Sequence, residues 1–280
     1  MFWVLLLGQG VGKVVAVLLW KTAPWSPLGA LCWFVPDVFV LYHLFVPSGQ
    51  WLCPSFTHFV THHAEVWLTI DDGPDGADTP RILDLLDQHD ARATFFVVGE
   101  RVARWPQLVA EIVRRGHEIG HHTHTHPVGT FWCALPTRVN RELDDTLAVL
   151  RSLGVKPQRF RPPVGIKNLF LARALASRGL DCVGWTVRSG DCLARRPEDV
   201  VEKVMRQVRP GAILLLHEGQ SVSPQIRVAA IKMTLERLTA RNFRCVIPRW
   251  DQLAPATAPH AIPAVSRDPA PTVNQAGAAD

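Results

Sequence analysis

Two adjacent carboxylates, Asp71 and Asp72, close the apolar run Val66-Trp67-Leu68-Thr69-Ile70 and stand just before Gly73-Pro74. Further on, histidines crowd the stretch Gly120-His121-His122-Thr123-His124-Thr125-His126-Pro127. Carboxylate oxygens and imidazole nitrogens are the ligands of hydrolytic metal centres, and a second acid leaves one carboxylate to move a proton. His122 and His126 are spaced to share one side of a helical turn. Zinc proteases with paired histidines place a Glu base directly after the first; position 123 is Thr here, so Asp71 or Asp72 is the available base. His117, His121 and His124 read as bystanders, and His58, His62 and His63 as surface residues. An ordinary Asx turn would also explain Asp-Asp-Gly-Pro, but the nearby histidines weigh against it.

Three later stretches also place polar groups at strand ends, Arg161, Asp191 and His217: Arg159-Phe160-Arg161-Pro162-Pro163-Val164-Gly165, Trp185-Thr186-Val187-Arg188-Ser189-Gly190-Asp191 and Gly211-Ala212-Ile213-Leu214-Leu215-Leu216-His217. Polar residues at the ends of successive apolar strands are how barrels of alternating strands and helices assemble active sites. The elements that would position them alternate accordingly. Strand-like runs are expected at 66–70, 93–98, 118–121, 159–161, 180–187, 212–217 and 244–247. Amphipathic helices are expected at 79–89, 102–115, 137–153, 168–178, 197–208 and 224–241. Pro80 marks a helix start, and Gly116 and Gly179 mark ends. The order implies a mainly parallel sheet covered by helices.

These motifs, in this order, resemble the polysaccharide deacetylase family (carbohydrate esterase family 4) over roughly residues 65–248. The resemblance implies an α/β fold, a distorted, incomplete (β/α) barrel of about seven strands. It implies a metal-dependent hydrolase of linear amides, removing N-acetyl groups from amino sugars of a cell-surface or lipid-linked glycan. Asp71 would be the general base and His217 the general acid. Asp72, His122 and His126 would hold one divalent ion, zinc by preference, with Co2+, Ni2+ or Mn2+ as alternatives. Arg161 would orient Asp71, Asp191 would pair with Arg161, the Val164 N–H would hold the oxyanion, and Leu215 would face the acetyl methyl. Ile70, His121, Val164, Arg188, Cys192 and Glu218 depart from the family's usual residues. Cys192 stands for a Trp lining the acetate pocket. These departures bear on substrate rather than catalysis. A deformylase, an O-acetyl esterase and an inactive glycan-binding protein of the same fold are the other readings.

Composition bounds the remainder. A formal net charge of +5, spread over presumed helix faces, excludes a nucleic-acid reading and leaves an anionic glycan or membrane surface. The six cysteines show no zinc or pairing pattern and read as small buried thiols. Residues 1–60 form a hydrophobic N-terminal segment in which 2–20 and 28–46 approach membrane-spanning length. They are expected to make a hairpin anchor. Lys21 in the connection places that loop in the cytoplasm and the catalytic part, 61–253, on the periplasmic or extracytoplasmic side of an inner membrane; a cytoplasmic chain is the alternative. Residues 254–280, rich in Ala and Pro, are expected to be disordered.

Overall fold

The computed structural model describes residues 2–255. Ten strands form the sheet system: β1 (Ser55–Phe59), β2 (Glu65–Gly73), β3 (Ala93–Val97), β4 (Glu118–His121), β5 (Arg159–Phe160), β6 (Asp181–Val183), β7 (Val187–Arg188), β8 (Ile213–His217), β9 (Arg244–Cys245) and β10 (Leu253–Pro255). Seven of them, in the order β6-β5-β4-β3-β2-β8-β7, are parallel throughout, which is the curled, incomplete barrel expected. β1 extends the β6 edge in parallel, β10 caps it antiparallel, and β9 pairs with the start of β2.

Helices α3 (Asp78–Gln88), α4 (Gly99–Arg104), α5 (Pro106–Arg114), α6 (Pro136–Ser152), α7 (Leu171–Ala176), α8 (Pro197–Gln207) and α9 (Arg227–Ala240) connect the strands. Alternation along each strand sorts the side chains. Val66, Leu68 and Ile70 of β2, with Leu214 and Leu216 of β8, pack in one outer cluster with Ile82, Val109, Val204 and Leu235 from the helices. Phe160 and Cys182 join Leu143, Leu147, Leu171 and Leu175 in a second outer cluster. Trp67, Phe96, Val183 and Ile213 instead form the small apolar interior. The rest of the interior is polar: Trp67 Nε1 donates to Thr94 Oγ1 at 2.8 Å, Thr94 donates to Glu118, and Arg159 pairs with Glu118 at 2.9 Å while stacking on Trp67.

Several expectations are corrected. The helix expected over 102–115 is two, broken at Trp105-Pro106, because Pro cannot continue the hydrogen-bond ladder of a preceding turn. The strand expected over 180–187 is split into β6 and β7. β1 and β10 lie in stretches read as N-terminal segment and as tail, so the boundary expected at residue 60 falls after a strand of the sheet, and Ala254 and Pro255 are in β10. The remainder of the expected tail lies outside the described residues. His58 is buried within β1 rather than at the surface, whereas His62 and His63 are exposed.

Ahead of the barrel, α1 (Phe2–Thr22) and α2 (Pro27–Phe45) form a hairpin. Trp20 lies over Gly29, where a Cβ would collide with its indole, so glycine permits the close crossing. Lys13 and Asp37 pair across the helices at 3.5 Å. The C-terminal end of α2 roots in loops of the barrel: Leu44 C=O accepts the Lys167 N–H at 2.9 Å, and Phe45 packs on Trp132 with ring centroids 5.6 Å apart.

Candidate metal and acid–base site

Alternation would send neighbouring Asp71 and Asp72 to opposite faces of β2. The register against β3 slips between Asp71 and Gly73, and Asp72 sits at φ 70. This bulge turns both carboxylates into one pocket. Gly73 tolerates the close approach of Glu218, whose carboxylate a Cβ there would strike. Both aspartates are buried.

His122 and His126 reach the same pocket from the loop after β4, not from a helical turn as their spacing suggested. Thr123 at φ 63 and His126 at φ 53 bend that loop. Asp72 Oδ1 lies 3.4 Å from His122 Nε2 and 3.2 Å from His126 Nε2. His122 Nδ1 is 2.7 Å from the Arg161 carbonyl, which can only accept, so Nδ1 carries a hydrogen and Nε2 is the nitrogen turned to the cluster, available as a ligand. Asp72 Oδ1 is buried with no hydrogen-bond partner among the described residues. Lone pairs converging at these distances match the edges of a tetrahedral zinc site, roughly 3.3–3.5 Å for ligands about 2.0–2.2 Å from the ion. The donor set therefore fits a divalent cation. Burial pushes His126 down to about 4, so it is neutral at neutral pH.

Asp71 is held differently. Its Oδ1 accepts from Arg161 Nη1 at 2.7 Å, and the same nitrogen reaches Thr69 Oγ1. Arg161 also donates to the Val183 and Gly184 carbonyls and stacks on Phe96, leaving the guanidinium no room to turn. Asp71 Oδ2 remains 3.8 Å from His122 Nε2, facing the cluster.

The expected Asp191–Arg161 pairing is corrected. Asp191 Oδ1 is 2.8 Å from His217 Nδ1, and its Oδ2 accepts the His217 N–H at 2.8 Å. Asp191 follows β7, which pairs in parallel with β8, so His217 at the end of β8 is within reach of the loop carrying Asp191, whereas Arg161 is taken by Asp71. In register, His217 is the partner of Asp71. Burial disfavours the imidazolium, yet the Asp191 carboxylate prevails and raises the His217 pKa well above histidine's ordinary range.

Leu215 shares the inward parity of His217, while Leu214 and Leu216 face the helices. Val164 sits at φ 49 in the turn after β5 and is 38% exposed, so its backbone is presented at the rim in a conformation unfavourable for a β-branched residue. Asp72, Thr123, His126 and Val164 are four of the seven non-glycine residues with positive φ among the described residues, so left-handed strain concentrates at this pocket.

Three supports escaped the sequence reading. Glu142 of α6 accepts the His124 and Thr125 N–H groups at 2.9 Å each and the Thr125 hydroxyl at 2.6 Å, holding the histidine loop. Its signal was a buried acid on the apolar stripe of Val139, Leu143 and Leu147. Ser221 donates to Asp72 Oδ2, and Arg101 donates to the Asp72 carbonyl; neither lies in a recognisable pattern. The presumed bystander His121 bonds the Leu143 carbonyl through Nε2 and accepts the Thr123 N–H, shaping the same loop. His117 accepts the Ala93 N–H, and burial pushes it down to about 4. All six cysteines are free, but only Cys53, Cys182 and Cys245 are buried as expected; Cys32 is half-buried, and Cys133 and Cys192 are exposed.

Residues 60–183 match the family model described as polysaccharide deacetylase. A chitooligosaccharide deacetylase of Bradyrhizobium sp. (strain ANU 289) is 40% identical over 156 residues, 55% of this chain and 70% of that one. A peptidoglycan-N-acetylglucosamine deacetylase of Bacillus cereus is 34% identical over 181 residues, 64% of this chain and 84% of its own. The crystal structure of the Bc1960 peptidoglycan N-acetylglucosamine deacetylase superposes with a TM-score of 0.63 at 30% identity, covering 68% of this chain and 88% of that one.

Proposed function

Because the chain belongs to the polysaccharide deacetylase family, carbohydrate esterase family 4, we propose that it hydrolyses the N-acetyl amide of amino sugars in a cell-surface or lipid-linked glycan. The observation that carries this reading is the meeting of Asp71 and His217 on neighbouring strands, each fixed by its own partner, beside the Asp72–His122–His126 cluster.

An amide carbonyl is a weak electrophile and water a weak nucleophile. A divalent ion held by Asp72, His122 and His126, zinc by the two-imidazole, one-carboxylate donor set, would supply Lewis acidity to both. Asp71, pinned by Arg161 with Oδ2 turned to the cluster, takes the proton from the attacking water. The Val164 N–H, held at the rim by its turn, donates to the oxygen that gains charge. His217, kept protonated by Asp191, gives a proton to the departing nitrogen, without which an amine anion would have to leave. Leu215 offers apolar surface to the acetyl methyl. The test is acetate release from N-acetylated chitooligosaccharides, peptidoglycan fragments and a lipid-linked amino sugar, with and without chelator. Turnover that survives both chelation and Asp71→Asn would refute the mechanism.

The lipid-linked alternative draws support from the hairpin. α2 is 19 residues long with a mean hydropathy of 1.6, and it exposes Leu31, Phe34, Val35, Val38 and Leu41, beside Val11, Val14 and Leu18 of α1. We infer that the hairpin anchors the chain in the inner membrane, with the Lys13–Asp37 pair limiting the cost of charge there, and with the catalytic domain extracytoplasmic. The end of α2 roots beside the loop that follows His126, and Pro47 borders Gly165, next to Val164. An anchor so placed holds the pocket rim close to the lipid surface. Replacing Val38 and Leu41 by lysine should release the chain from the membrane fraction; retention would refute the anchor.

A further inference from the structure

Cys192 is exposed, and it joins Asp191 and His217 in a second set of metal-ligating atoms. Its Sγ lies 3.5 Å from His217 Nδ1 and 3.7 Å from Asp191 Oδ1, and those two atoms are 2.8 Å apart. A tetrahedral ion bound by one sulfur at about 2.3 Å and by nitrogen and oxygen near 2.0–2.2 Å needs edges of roughly 3.4–3.6 Å. Both sulfur edges are already close to that spacing. Only the hydrogen bond between His217 and Asp191 must open, by roughly half an ångström. Asp191 is 2% exposed and anchored through Oδ2 to the backbone of His217, so two of the three donors are fixed before any ion arrives.

We propose that Asp191, Cys192 and His217 form a second cation site, selective for thiophilic divalent ions such as Zn2+ or Cd2+, whose occupation switches the enzyme off. Thiolate and carboxylate together neutralise a divalent charge, and the sulfur sets the preference for soft ions over Mg2+ or Ca2+. On binding, the thiol and the imidazole Nδ1 each release one proton to solvent, and the ion takes their places. His217 then no longer carries the imidazolium that protonates the leaving nitrogen. This consequence rests on the reading of His217 as the acid; the binding site itself does not.

Cadmium titration of the full chain separates the two claims. Thiolate-to-cadmium charge-transfer absorbance reports only sites containing sulfur, so Asp72, His122 and His126 are silent. The band should saturate within two equivalents, since the silent site also takes cadmium, and Cys192→Ser, which removes the site's only sulfur, should abolish it. His217→Gln, which keeps the thiol, should weaken it at least ~10-fold, while Cys133→Ser, at the other exposed thiol, should leave it intact. An unchanged band in Cys192→Ser, or one indifferent to His217→Gln, overturns the site. In chain activated by a single equivalent of zinc, acetate release should fall as the cadmium band fills and should resist cadmium in Cys192→Ser. A filled band without inhibition overturns the assignment of His217 as acid and leaves the cation site standing.

Discussion

The two halves of this pocket are finished to different degrees. Around Asp72, His122 and His126 the backbone is repeatedly left-handed, and a buried carboxylate oxygen faces two imidazoles without a hydrogen-bond partner among the described residues. Around Asp71 and His217, each acid–base group has a partner of opposite character at 2.7–2.8 Å. Strain and an orphaned acceptor are costs that a folded chain retains only where something else compensates them. The first half is shaped around a guest; the second is complete from folding alone. Substitutions in one half should therefore register in metal content, and in the other half in rate and pH dependence at constant metal.

The largest effect is expected for Asp72→Ala. It should strip the ion, measured by elemental analysis of the purified protein, and carry turnover to background. Retained stoichiometric metal would erase the distinction between the halves. Next comes Asp71→Asn, which keeps shape and the Arg161 hydrogen bond but cannot accept a proton. A loss of about 10²–10⁴-fold in kcat is expected with metal content unchanged; parallel loss of metal would show the halves to be one unit. Asp191→Asn should be milder. Because the carboxylate raises the His217 pKa, activity requiring the imidazolium persists at low pH and falls as pH rises through that value. Removing the negative charge lowers the pKa, so the alkaline limb should move to lower pH. A pH–rate profile with an unmoved alkaline limb would detach Asp191 from the acid.

The same division explains what the chain disclosed in advance. The strands carrying Asp71, His121 and His217 could be read because outward residues such as Leu68, Ile70, Leu214 and Leu216 pack against helices, and such burial leaves a pattern in the sequence. The inward turn of Asp72 could not, since alternation predicts the opposite and only a bulge reverses it. The helical spacing of His122 and His126 misled for a related reason: positive φ at Thr123 and His126 brings both to the cluster without a helix. The partner of Asp191 was misread because strand order, β7 beside β8, is a long-range property that no local stretch encodes. β1 and β10 stayed hidden because short edge strands bury too little to leave a periodic signal.

Glu142 offers the finest test of the contrast, because it touches neither the ion's ligands nor the proton-transfer groups. Its carboxylate accepts three hydrogen bonds from the His124–Thr125 backbone and hydroxyl. In Glu142→Gln the amide oxygen can still accept both N–H groups, and the amide nitrogen can donate to the Thr125 hydroxyl. The loop should keep its path while losing charge-assisted strength. Metal affinity should fall by about 10-fold, at the low end of what an outer partner of a metal ligand contributes, with kcat of the metal-saturated protein unchanged. Glu142→Ala, which leaves two N–H groups unpaired, should cost more affinity than the Gln variant and still spare kcat at saturation. If both variants bind metal as tightly as the parent chain, the histidine loop holds its strained shape unaided, and the guest-shaped half is as self-sufficient as the other. If kcat falls at saturation instead, α6 supports the proton-transfer groups as well, and the division between the halves lies elsewhere in the pocket.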